Sequence, residues 1–235
     1  MEQRKRDRGP LVLSALIALG LLALAAPAAQ ANWKVGGAEL AANEAVEAKT
    51  HREFNLLVPA QNLQILCASL VPTSATLFAK SGSGEGKVKF TSCKTWQSSK
   101  ESAGCKPIEP IVAGGKVNLI LAGSIILPLT YFLFEPSKGV PFTTIEFNPA
   151  KCALAEENAV TGKLIAECLN SSLSSEKKLC EKEEVTHLLQ QSPELVEALF
   201  SEDTLKFGES LTYLDGVASV TMHGANLGKI WSAII

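Results

Sequence analysis

The chain has little with which to do chemistry. It has three histidines, His51, His187 and His223, and none lies at a short spacing from another histidine or from a cysteine, so no zinc-ligand motif is present. No Gly-x-Ser-x-Gly elbow marks a nucleophile. A phosphate loop needs glycine five residues before the glycine of its Gly-Lys pair and Ser or Thr after the lysine. Gly86-Lys87 is preceded at that distance by Ser81 and followed by Val88, so the match fails twice. No cofactor is expected. Basic charge is also scarce, with 22 Lys and Arg against 24 Asp and Glu, which leaves no electrostatic footprint for nucleic acid. Aromatics make up 6% of the residues, and Trp33, Trp96 and Trp231 form no stripe. The adjacent carboxylates Glu156-Glu157 and Glu183-Glu184 would point to opposite faces of a strand, which suits a solvated surface better than paired acid/base work.

What is present begins at the N-terminus. Arg4, Lys5, Arg6 and Arg8 precede an apolar run from Leu11 to Ala26, then Pro27 and the small-x-small pattern Ala29-Gln30-Ala31. This is the layout of a secretory signal peptide over 1–31, and the run is shorter than the ~20 residues a membrane span requires. Removing it takes away four basic and two acidic residues and leaves 18 basic and 22 acidic. The expected product is a single secreted, extracellular β domain over 32–235 with no stable membrane insertion. The apolar stretch from Val117 to Phe134 could be mistaken for a span, but Pro128 and Gly123-Ser124 interrupt it. A span there would also strand an odd number of cysteines on each side.

Short alternating or apolar segments separated by turn signals predict an all-β fold, an antiparallel sandwich or open barrel of many short strands. Phe54 to Val58 and Leu63 to Leu70 flank the turn Pro59-Ala60-Gln61-Asn62, and Ala75 to Ala79 follows. Ser81 to Gly86 reads as a flexible connection before Val88-Lys89-Phe90. Val117 to Ala122 and Ile125 to Phe134 read as a hairpin, followed by strands at Phe142 to Phe147 and Val160 to Glu167. Leu205 to Phe207, Leu211 to Leu214 and Val217 to Met222 close the set, with Asp215-Gly216 as a turn. Ser192-Pro193-Glu194 opens a short helix through Phe200. Ala38 to Lys49 is helical by propensity alone.

The order of NWKVGGAEL, LVPAQNLQILCASL, GEGKVKFTSCK, GCKP, FEP, LKFGESLTYLDGVASVTMHG and GKIW resembles a group of uncharacterised secreted actinobacterial β-rich proteins. The resemblance implies an extracellular β domain with no assigned activity. It implies that Cys67, Cys93, Cys105 and Cys152 belong to the shared pattern and that Cys168 and Cys180 are additions. It also implies that Ala38 to Lys49 begins as strand.

Six cysteines in an exported chain predict disulfides. Cys93 and Cys105 bracket a polar loop that cannot hold itself in place, and Cys168 and Cys180 bracket another. Local closure therefore predicts 93–105 and 168–180, which leaves 67–152. Trp96, inside the first polar loop, is the candidate ligand contact, for a cell-wall glycan or a protein. Two functions follow from these residues. One is a non-enzymatic binding or structural module at or outside the cell surface. The other is an extracellular hydrolase whose site is assembled from distant residues, and it requires the histidines and carboxylates to converge in a cleft.

Overall fold

A computed structural model describes residues 32–124, 127–137, 139–168, 184–188 and 204–234. Its strands are β1 (Asn32–Val35), β2 (Ala38–Glu39), β3 (Glu44–Val58), β4 (Leu63–Leu77), β5 (Ser83–Gln97), β6 (Lys100–Glu101), β7 (Ile111–Ser124) and β8 (Leu127–Glu135). They continue as β9 (Thr143–Glu146), β10 (Glu157–Thr161), β11 (Leu164–Cys168), β12 (Glu184–Leu188), β13 (Lys206–Phe207), β14 (Ser210–Leu211), β15 (Tyr213–Met222) and β16 (Trp231–Ile234). The only helical pieces among the described residues are three-residue 3-10 turns. The fold is all-β, as the turn spacing predicts. The signal segment, the 192–200 helix and Cys180 lie outside the described residues.

The largest sheet runs β4-β3-β15-β12-β11-β8-β7-β5-β6, and β4 also pairs with β5. Taken around the ring, β3, β4, β5, β7, β8, β11, β12 and β15 follow one another in chain order, every pairing is antiparallel, and β15 returns to β3. The result is a nearly closed up-and-down barrel of eight strands, an arrangement that leaves almost no sheet edge exposed.

Alternation sets which face is inside. On β3, Phe54, Leu56 and Val58 are buried, while Glu47, Lys49, His51 and Glu53 are exposed. On β5, Glu85, Lys87 and Lys89 point to water between half-buried Gly86, Val88 and Phe90. Charge on the outer face and apolar side chains within is the reverse of a lipid-facing barrel strand.

Two smaller sheets cover the barrel ends. The three-stranded sheet β16-β1-β2 brings Trp33, Trp231 and Leu40 onto Leu77, Leu119, Phe132 and Met222. The Trp33 ring stacks on Phe132 with centroids 6.0 Å apart and meets Trp231 at 5.9 Å. The indole N–H of Trp33 donates to the Ser83 carbonyl at 2.7 Å. At the other end the four-stranded sheet β14-β13-β10-β9 packs Ile145, Val160 and Phe207 against Val58, Leu63 and Ile65.

Several expectations need correction, and the causes are local. Ala38–Glu39 and the stretch from Glu44 to Lys49 are strand, against helix propensity, because their backbones pair with β1 and β15. Ser81 to Gly86 is not a flexible connection, since Ser83 onwards is the start of β5, where Gly84 and Gly86 pair with Leu77 and Ala75. The expected strand from Val160 to Glu167 is two strands, broken at Gly162, which holds φ +91 and approaches the Thr204 carbonyl too closely for a Cβ. Asp215-Gly216 is not a turn. It lies inside β15 at a bulge, where the Phe54 ring sits so close to Gly216 that an added Cβ would come within 2.3 Å of it. The dipeptide looks like a turn signal, but its glycine serves close packing.

The disulfides are Cys67–Cys93 and Cys105–Cys152. The local pairing 93–105 and its corollary 67–152 are therefore both wrong. Cys67 and Cys93 face each other directly across the β4–β5 ladder, with Cα atoms 3.9 Å apart. The stretch after Cys93 is held by a β5–β6 hairpin and needs no staple of its own. Cys105 instead reaches the turn that ends at Cys152. The 168–180 pairing falls outside the described residues.

Beside Cys93, Glu109 accepts the backbone N–H groups of Ser92 at 2.7 Å and Cys93 at 2.9 Å, and Lys106 approaches at 3.3 Å. Burial alone would raise the Glu109 pKa, but the two backbone hydrogen bonds and Lys106 outweigh it and hold the carboxyl below its ordinary value. A depressed folded-state pKa stabilises the fold above the unfolded value, and that stability is lost as pH falls through the folded one. Urea unfolding from neutral pH down through the carboxylate range should therefore show wild type losing stability more steeply than Glu109→Gln. Parallel curves would contradict this role.

Candidate ligand cavity

Inward-facing residues of the barrel leave an apolar cavity of about 270 Å³ that is partly open to the outside. Its walls are Val46, Ala48 and Phe54 of β3, Leu70, Pro72 and Ala75 of β4, Val88 and Phe90 of β5, Ala113 and Val117 of β7, Phe134 of β8 and Val220 of β15. Trp33 and Trp231 floor one end, and Ile145, Val160 and Leu205 line the other. Small residues create the room. Ala48, Ala75 and Ala113 stand where branched side chains would fill a barrel of this strand number. Gly115 is covered by the Phe142 ring, whose nearest carbon would lie 2.9 Å from an added Cβ. Phe142 thus stands between the cavity and a shallow outer groove lined by Val112, Val140 and Pro141. The polar lining residues are Glu47, Thr76, Glu85, Lys116 and Thr143, and the first four occupy one zone of the wall, where Thr76 pairs with Glu85 and Glu85 with Lys116.

The histidines do not converge on this space. His51 Nε2 lies 2.7 Å from Ser219 Oγ, but Ser219 is only 2% exposed and lines no part of the cavity. His223 Nε2 lies 3.2 Å from Glu47 Oε1 in an exposed pair. His187 is in β12, opposite Ala218 in the backbone ladder, and its side chain lies outside the described residues. Glu156 and Glu157 are both exposed. Among the described residues, no group of three or more His, Cys, Asp or Glu could hold a metal ion.

Trp96 does not stand on a displayed loop. It is in β5, paired with Gln64 on one side and Glu101 on the other, and it is half-buried. Its indole nitrogen is buried without a hydrogen-bond partner among the described residues. The cavity was missed in the sequence because its signal, alanines at inward positions of long strands such as Ala48, Ala75 and Ala113, reads in one dimension as weak strand.

No protein-family model, curated protein or solved structure matches the chain. Among the described residues no helix is long and apolar enough to cross a membrane. The two disulfides fit a protein that resides in an oxidising, extracellular setting.

Proposed function

We propose that this protein is a non-enzymatic, secreted binding module that encloses a small apolar molecule in its barrel. The cavity carries this reading. Left unfilled, an apolar space of about 270 Å³ would cost about 6 kcal/mol at ~24 cal/mol per Å³. That is as large as the whole net stability of many domains, about 5–15 kcal/mol. Water offers poor compensation, because an apolar cavity gives it few hydrogen-bond partners. Strands that hold Ala48, Ala75 and Ala113 inward, under two capping sheets, are consistent with an interior kept open for an occupant. Filled at liquid density, the space takes about nine water-sized groups, the scale of a single medium-length chain.

Trp33 and Trp231 both line the cavity, so their emission should report its occupancy. Titrating 1-decanol into the folded protein, with Trp96→Phe to remove the distant indole, should give a saturable emission change. Calorimetry should show one site and a negative heat-capacity change. Absence of saturable binding by both methods would overturn the reading.

A further inference from the structure

The barrel wall is not uniformly bonded. On the β3–β4 seam, Glu44 faces Leu77 and Ala45 faces Thr76, and the ladder resumes only at Phe54 facing Cys67. Between these points eight residues on each strand, 46–53 and 68–75, keep the same register without ladder pairing. Both strands remain attached on their other sides. β3 follows β15 from Val46 to Arg52, and β4 follows β5 from Ser69 to Ala75. Pro72, with no N–H to offer, lies in the gap.

Among the described residues, the Thr50 side chain spans the open stretch. Thr50 Oγ1 donates to the Leu70 carbonyl at 3.1 Å and accepts the Leu70 N–H at 2.8 Å. A hydroxyl thus stands in for the missing backbone pair. Six residues of this stretch also line the cavity: Val46, Glu47, Ala48, Leu70, Pro72 and Ala75. Glu47 lines the cavity while its side chain is 64% exposed, so the wall here is one residue thick.

We propose that this seam, latched by Thr50, is the lateral doorway of the cavity, and that the occupant is a single-chain amphiphile. This rests on the binding function proposed above. Eight residues of strand make a slot roughly 26 Å long, bounded by two strands in fixed register. Such a slot admits a linear chain sideways and resists a compact cage of equal carbon count. The chain lies among Ala48, Leu70, Val88 and Phe90. A polar head stays at the zone of Glu47 and Thr76, because burying it unpaired in the apolar interior is unfavourable.

The test is stopped-flow tryptophan emission on the full folded domain in the Trp96→Phe background, with 1-decanol and 1-adamantanol as probes. Thr50→Val keeps the shape and removes both hydrogen bonds. It should raise the association and dissociation rates of 1-decanol together by about tenfold, the factor corresponding to one net hydrogen bond, and leave Kd nearly unchanged. Thr50→Ser, which retains the hydroxyl, should keep wild-type rates, and this separates the latch from general loosening. 1-Adamantanol should associate more slowly than 1-decanol in the unmodified protein. Saturable 1-decanol binding with rates unmoved by Thr50→Val would overturn the doorway while leaving the binding function standing. Acceleration by Phe142→Ala instead would place the entrance beside the four-stranded sheet. Faster association of the cage than of the chain would overturn the ligand class.

Discussion

Replacing Cys105 and Cys152 together by alanine is expected to produce the largest loss of stability of any change in this chain that leaves the barrel ladder intact. The pair is separated by 47 residues, and in the chain-entropy treatment closing a loop of that length stabilises the fold by about 4 kcal/mol. For a domain of this size that corresponds to a fall in Tm of about 8–16 °C. Neither cysteine belongs to the barrel. Cys105 ends a three-residue 3-10 turn, and Cys152 follows the turn at Asn148, whose carbonyl accepts its backbone N–H at 3.1 Å. Nearby, among the described residues, the Pro107–Phe147 bridge and the hydrogen bond from Ile108 N–H to the Glu146 carbonyl also hold the same two segments together. Removing Cys67 and Cys93, separated by 26 residues, should cost about 3.5 kcal/mol in the same treatment. Thermal unfolding of the two double variants, with peptide mapping of the unreduced protein to verify 67–93 and 105–152, checks both. A fall of only a degree or two for Cys105→Ala/Cys152→Ala, or a mapped 93–105 link, would contradict the assignment.

Ala113→Phe is expected to weaken binding by two orders of magnitude, ~100-fold, while raising thermal stability. Ala113 faces Val88 across the β5–β7 ladder, and both line the cavity. A phenyl ring there projects into a space of about 270 Å³ and takes up volume an occupant would use. Affinity for 1-decanol should fall on the order of a hundredfold, since each 1.4 kcal/mol of lost contact is a factor of ten. Filling the void should at the same time recover part of the cost of about 24 cal/mol per Å³ that an unfilled cavity carries. The opposite signs are diagnostic. An ordinary core overpacking lowers both stability and binding, whereas filling a true ligand site raises one and lowers the other. Unchanged affinity would place the bound molecule outside the barrel.

The sequence by itself determined the fold class, because strand period and turn chemistry act over a few residues. Phe54, Leu56 and Val58 alternate with outward residues, the turn at Pro59 to Asn62 follows, and Leu63, Ile65 and Cys67 alternate again, all as the pattern predicts. The lack of spaced metal ligands or a nucleophile elbow was equally plain. Other features were decided by contacts between residues far apart in the chain. Cys67 meets Cys93 because β4 and β5 run in a fixed register over 15-residue strands, and no local loop-closure argument contains that register. Gly216 reads as a turn residue until the Phe54 ring is placed over it. The cavity exists only because small residues on several strands, Ala48, Ala75 and Ala113, face the same point once the ring of eight strands closes. The seam exists because β3 and β4 are each held by another neighbour while they part from one another. Periodicity states which side of a strand faces inward, and only closure of the sheet states how much space is left there.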